Sequence, residues 1–116
     1  MNDSIIWRSL QKVEEIGEIQ KKSLEMPVTI FKHSTRCSVS STALARLERQ
    51  WKRNQMVETA NYFLDLLVFS EVSKAVVEHF DVPHQSPQFI VILNKKVVHV
   101  SSHLEINLGA IEVLLK

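Results

Sequence analysis

The sequence predicts an α/β fold: one mixed β-sheet flanked by helices, in a single domain spanning residues 1–116. Three observations predict it. Stretches with the apolar spacing of a helix alternate along the chain with short β-branched and aromatic runs. The first two of those runs are separated by a helix, which suits a right-handed parallel crossover, and the last two by a few polar residues only, which makes a hairpin. An apolar content of 45% over 116 residues is enough for one hydrophobic core without disulfides or metal.

The elements follow in order. Ile6, Leu10, Val13, Ile16 and Ile19 recur with Lys, Glu and Gln between them, predicting an amphipathic leading helix from Ile6 to about Leu24. Pro27 opens Val28-Thr29-Ile30-Phe31, a run of strand formers bounded by polar residues and read as a central strand. Beyond it Leu44, Leu47 and Trp51 share one face and Arg46, Arg49 and Arg53 another, which predicts a helix from roughly Ser38 to Asn54. Asn54 to Asn61 is polar and reads as a loop, and Tyr62 to Leu67 as a second strand. Ser70 to Phe80 reads as a helix, with Ser70 and Ser73 suited to its cap or first turn and Val72, Ala75, Val76 and Phe80 apolar.

Val82 to Gln88 carries Pro83 and Pro87 and reads as a loop. Phe89 to Leu93 and Val97 to Val100 then flank Asn94-Lys95-Lys96 as a hairpin. A final helix is expected from about Glu105 to Leu115, buried on much of its circumference by Ile106, Leu108, Ile111, Val113 and Leu114, with Gly109 at a close approach. The order α-β-α-β-α-β-β-α is the thioredoxin-like arrangement. In such open sheets ligands collect beyond the C-terminal ends of the parallel strands.

Composition removes several function classes. A formal charge of +1, from 14 basic and 13 acidic side chains, gives no overall attraction to nucleic acid, to an anionic membrane or to acidic polymers. The stripe Arg46, Arg49, Lys52 and Arg53 has no interleaved aromatics and reads as a solvated helix face. Trp7 and Trp51 read as core or rim residues. His33 and Cys37 form only a pair, short of a zinc ligand set, so no metal is expected. Gly17 and Gly109 both fall in expected helices, which leaves no glycine-rich phosphate loop. The longest apolar runs, such as Phe89 to Leu93, are too short to span a bilayer. A lone cysteine and an early Asp3, with no signal-peptide pattern, point to the cytoplasm.

The chemistry concentrates on that cysteine. Cys37 stands in Phe31-Lys32-His33-Ser34-Thr35-Arg36-Cys37-Ser38-Val39-Ser40-Ser41, where a strand ends and a helix begins. A sulfur there faces unsatisfied backbone N–H groups and the positive end of the helix dipole, which favour thiolate, and Arg36 adds a full charge beside it. The position three residues on, where a redox pair would hold its second thiol, is Ser40. Cys37 is therefore a candidate single-thiol nucleophile. Ser40, one helical turn away, offers a hydroxyl hydrogen bond to the thiolate but cannot attack a mixed disulfide, so an adduct must be resolved from outside.

That string, the Tyr62-Phe63-Leu64-Asp65 strand and His84-Gln85-Ser86-Pro87-Gln88 together resemble the monothiol bacilliredoxin (YtxJ-like) family of the thioredoxin superfamily, over nearly the whole chain. The resemblance implies a thiol-disulfide oxidoreductase that takes bacillithiol from protein mixed disulfides onto its one active-site cysteine. It implies bacillithiolated client proteins, a low-molecular-weight thiol co-substrate, a thiol reductase for recycling, and no permanently bound cofactor. It also implies a cis peptide bond before Pro87, beside the sulfur, with the Ser86 backbone offered to an extended substrate. Family members often carry a different residue pair where this chain has Ser38 and Val39. Ser38 thus joins Arg36, Ser86 and Pro87 as a candidate substrate contact.

Arg36 and Lys32 are candidates to steer the malate carboxylates of bacillithiol, although strand alternation is expected to point Lys32 away. His33 and His84 read as packed or hydrogen-bonded rather than catalytic, and His79, His99 and His103 as structural or exposed. Two other readings fit the same residues: a redox-inert thioredoxin-like module that holds a peptide beside Pro87, and a thiolation sensor without transfer activity.

Overall fold

The β-branched and aromatic runs assemble into one five-stranded sheet in a computed structural model that describes residues 6–53 and 59–107. Its strands are β1 (Trp7–Ser9), β2 (Val28–His33), β3 (Ala60–Asp65), β4 (Gln88–Leu93) and β5 (Lys96–Ser102). Helices α1 (Glu15–Lys22), α2 (Ser38–Arg53) and α3 (Ser70–Phe80) connect the first four. The sheet order is β1-β3-β2-β4-β5, with β1 and β2 parallel to β3, β4 antiparallel to β2, and β5 antiparallel to β4. The result is the expected mixed sheet with a helix layer on each face.

Strand alternation sorts the core into those two layers. Val28, Ile30, Tyr62, Leu64, Ile90 and Ile92 pack against Ile16 and Ile19 of α1 and Val72 and Val76 of α3. Phe31, Phe89 and Val91 pack on the other face against Ala43, Leu47 and Trp51 of α2. Removing these side chains from water is the main favourable term in folding.

Several boundaries differ from the sequence reading, among them the hairpin strands, which start one residue earlier than expected, the second also ending two residues later. The leading helix is confined to Glu15–Lys22, and Trp7–Ser9 is instead an edge strand in register with Asn61–Phe63. Of the supposed apolar stripe, Ile6 is 82% and Val13 46% exposed, so the spacing there was coincidental. The strand is favoured by its ladder to β3 and by the Trp7 ring, whose centroid lies 6.0 Å from Phe31 and 5.8 Å from Phe63. The central strand runs two residues further than Phe31, because Lys32 pairs with Gln88 and His33 with Asp65. The next strand lies two residues earlier than Tyr62–Leu67, since the Asp65 carboxylate accepts the Leu67 and Val68 amides (3.2 and 3.3 Å) and turns the chain there.

A further difference is at the C-terminal side. The expected start of a helix at Glu105 is replaced by a 3-10 turn, His103–Glu105, followed by buried Ile106. The rest of that expected helix, with Leu108, Gly109, Ile111, Val113 and Leu114, lies outside the described residues, as does most of the Asn54 to Asn61 loop. The hairpin turns on Asn94 and Lys95, both at positive φ (53° and 67°), as a tight two-residue connection between these strands requires.

The topology gathers several chain segments at one end of the sheet. β2 and β3 are parallel and finish together at the His33–Asp65 pair. β4 begins at the same level, where Gln88 pairs with Lys32, and β5 finishes there, where Ser102 pairs with Gln88. The loop to Cys37, the turn after Asp65, the Ser86–Pro87 step and the 3-10 turn therefore all emerge at this end.

Candidate active site

The turn after β2 fixes the sulfur. The Cys37 amide donates to the Ser34 carbonyl (3.2 Å), and the Cys37 carbonyl accepts the Ser41 amide (3.2 Å) as the first bond of α2. Cys37 is thus the cap residue of a helix of 16 residues whose first turn carries no acidic side chain. An anionic sulfur there meets the positive end of the helix with no carboxylate in that turn to offset it. Cys37 is partly exposed, and Thr35, Arg36 and Ser38 around it are exposed. Two conditions for exchange, access and a local positive potential, are met together.

Ser40 is wholly buried behind this surface. Its Oγ lies 2.7 Å from His33 Nδ1 and accepts the Ser34 amide at 3.1 Å. The hydroxyl that the sequence assigns to the sulfur is therefore shared with a histidine and with the backbone of the intervening turn. His33 points to the α2 face, its ring stacked on Phe31 (6.1 Å, 27°) and tilted against Phe63 (5.3 Å, 49°). Burial pushes its pKa below the usual histidine value, opposed in part by the Asp65 carboxylate on the neighbouring strand. Burial thus favours the neutral imidazole.

Lys32 takes the other face, as alternation requires. It is not a rim charge: the side chain is fully buried, and its Nζ lies 3.4 Å from His84 Nδ1. Burial lowers its pKa from 10.5 to about 8. His84 is exposed, yet partial burial and then the neighbouring Lys32 hold its pKa below the usual histidine value. Beside Lys32, the Gln88 Nε2 donates to the Pro83 carbonyl (3.0 Å), whereas Gln88 Oε1 and Ser86 Oγ are buried without a hydrogen-bond partner among the described residues.

The peptide bond between Ser86 and Pro87 is cis. Pro87 is buried, and its carbonyl accepts the His103 amide (2.9 Å), which ties the 3-10 turn to the start of β4. The register puts this step at the end of the sheet from which Cys37 emerges. Of the residues singled out from sequence, Cys37, Arg36 and Ser38 share one surface, Ser40 lies beneath it, and Ser86 and Pro87 form the adjoining strand entry.

Two clefts lie elsewhere. One of about 660 Å³ runs along β5 and the end of α3 past Pro83, Gln88 and His99, and one of about 340 Å³ lies between Ser70, Ser73, Lys74 and His84. Neither includes Cys37 or Ser40 in its lining, and Cys37 itself is partly exposed. Sequence reasoning did not find the burial of Lys32 or the His33–Ser40 bond. Alternation from buried Phe31 does place His33 on the α2 face, and that was the one available signal.

Residues 8–111 match the family model described as monothiol bacilliredoxin BrxC. Among solved structures, one described as an oxidoreductase with a thioredoxin fold superposes with a TM-score of 0.77 at 20% identity, covering 91% of this chain and 90% of that one. Thioredoxin from Fasciola hepatica gives 0.72 at 16% identity over 94% and 99% of the two chains. Thioredoxin from Trypanosoma brucei brucei gives 0.69 at 18% identity over 96% and 87%. At these identities the structural likeness establishes the fold, which is the thioredoxin fold.

Proposed function

This chain belongs to the monothiol bacilliredoxin family, and from that premise we propose that it frees client proteins from bacillithiol by thiol-disulfide exchange at Cys37. Family and fold support a thiol oxidoreductase role; the bacillithiol substrate, the cytoplasmic location and the residue roles are the proposed part. The observation that carries the reading is the placement of the single cysteine, partly exposed, at the cap of α2 with exposed Arg36 beside it.

The Cys37 thiolate attacks the bacillithiol sulfur of the mixed disulfide in line with the S–S bond. A Cys37–bacillithiol disulfide forms as the old S–S bond breaks, and the client sulfur leaves as thiolate and takes a proton from water. No net oxidation or reduction occurs in this step. With one cysteine in the chain, the adduct has no internal thiol to attack it. A second low-molecular-weight thiol or a thiol reductase supplies the two electrons that restore Cys37. Arg36 and Ser38 are exposed where bacillithiol carboxylates would lie, and the Ser86 backbone, fixed ahead of Pro87, offers an extended client its N–H and C=O.

Intact masses test this after mixing the reduced protein with a client carrying a bacillithiol mixed disulfide, alongside Cys37→Ser. The native chain should gain the adduct and release free client, and Cys37→Ser should do neither. Processing of a glutathione-modified client alone would replace the thiol. An adduct without client release would make the protein a sensor, and no adduct on either client would leave a peptide-binding module.

A further inference from the structure

We infer that His33 is a positioning residue for the sulfur chemistry, holding or releasing the one hydroxyl hydrogen that Ser40 can give to Cys37. The inference rests on the proposed nucleophilic role of Cys37, and its tests need no client protein.

A serine hydroxyl has one hydrogen to donate and two directions from which to accept. One accepting direction of Ser40 is taken by the Ser34 amide, at 3.1 Å. His33 Nδ1, at 2.7 Å, has two ways to use what is left. If the ring carries its proton on Nε2, Nδ1 accepts and the Ser40 hydrogen is spent on His33. If Nδ1 carries a proton, it donates into the second accepting direction, and the Ser40 hydrogen is free.

The place for that freed hydrogen is set by the helix. Cys37 is the cap of α2 and Ser40 its third residue, so the two stand in the first turn at the i, i+3 spacing that makes side chains neighbours on one helix face. Ser40 has no exposed surface, so bulk water does not compete for its hydrogen. A Cys37 thiolate is an anionic acceptor and claims it; a neutral thiol or a disulfide adduct accepts weakly and returns it to His33. The ring tautomer and the charge on the sulfur are thereby linked.

The groups around His33 leave this balance to the two partners. Phe31 and Phe63 present ring faces. Asp65, opposite on β3, is the carboxylate that acts on the imidazole, and its Oδ1 already accepts the Leu67 and Val68 amides. From α2 the group that faces His33 is the Ser40 hydroxyl. Of the adjacent cations, Lys32 points to the other face and Arg36 is exposed.

Nitrogen-15 NMR of the full chain labelled at histidine reads the tautomer directly, with His33 assigned by its loss in His33→Leu. His33 should hold its proton on Nε2 when Cys37 is a thiol or is capped with a methylthio group, and shift toward Nδ1 as the free thiolate forms with rising pH. Iodoacetamide alkylation of Cys37 at mildly acidic pH gives the second readout. Ser40→Ala should slow it about fivefold, the weight of one hydrogen bond. His33→Leu, which leaves Ser40 free to serve sulfur, should speed it in the native background and have no effect in the Ser40→Ala background. His33 signals that ignore the state of Cys37 would overturn the inference, as would an effect of His33→Leu that is equal in both backgrounds. The NMR arm uses the native protein and stands even if a variant fails to fold. Failure of client release with the linkage intact would remove the proposed function alone.

Discussion

Lys32→Met should be more stable than the native chain at pH 7 and should lose that advantage in strong alkali. Lys32 is fully buried on β2 between Leu64 and Gln88 of the adjoining strands, and among the described residues its ammonium has one hydrogen-bonding partner, His84 Nδ1, at a long 3.4 Å. Burial lowers its pKa from 10.5 to about 8. At 1.36 kcal/mol for each tenfold change in proton affinity, holding the charged form inside costs about 3 kcal/mol. Relaxation of the surroundings of the buried ammonium offsets part of this, and a discount to about 1.5 kcal/mol is appropriate. Met keeps the unbranched stem and its packing, and gives up one weak hydrogen bond worth at most about 0.5 kcal/mol. The net gain is about 1 kcal/mol, or about 4 °C in Tm for a chain of this size.

The pH dependence has a definite sign. Between about 8 and 10.5 the unfolded chain holds the Lys32 proton more tightly than the folded one, so the native protein gains stability as pH rises through that window. The cost is present in full below it and absent above it. Urea midpoints of both proteins at pH 7 and above pH 10 measure this. A variant less stable than the native chain at pH 7, or a gap that does not close in alkali, would refute the account of Lys32 as a destabilising buried charge. A stabilised variant with slower transfer would show that the Lys32–His84 contact is kept for the loop before Pro87.

Two further outcomes follow from the same structure. His33, His84 and His99 all have pKa values lowered chiefly by burial, so below the ordinary value of 6.5 the unfolded chain binds protons that the folded chain resists; the urea midpoint should fall on acidification from pH 7.5 to 5. Ser23, wholly buried after α1, donates its hydroxyl to the Gln20 carbonyl (2.6 Å) and accepts the Lys95 amide (2.9 Å), clasping the β4–β5 turn. Ser23→Ala should cost about 1 kcal/mol, and the Lys95 amide should exchange with solvent faster, as hydrogen-exchange mass spectrometry would show.

The sequence by itself determined what depends on local spacing. The helix Ser70–Phe80 is legible at both ends, and the start of α2 at Ser38 follows from its apolar face, which places Cys37 at a helix cap. The parallel crossover and the terminal hairpin are legible for the same reason: connection length and turn residues limit how strands can join. Tertiary structure decided the rest. Trp7–Ser9 is a strand because β3 offers it a ladder and Phe31 and Phe63 cover its ring, partners that lie far along the chain. Alternation assigns Lys32 and His33 to opposite faces, but only the covering elements show that both are buried, one against His84 and the other against Ser40. The His33–Ser40 bond joins a strand to a helix across a turn, so neither the period of 2 nor that of 3.6 encodes it. Its existence depends on how that turn packs, and it is this contact that brings a buried imidazole into the chemistry of the lone thiol.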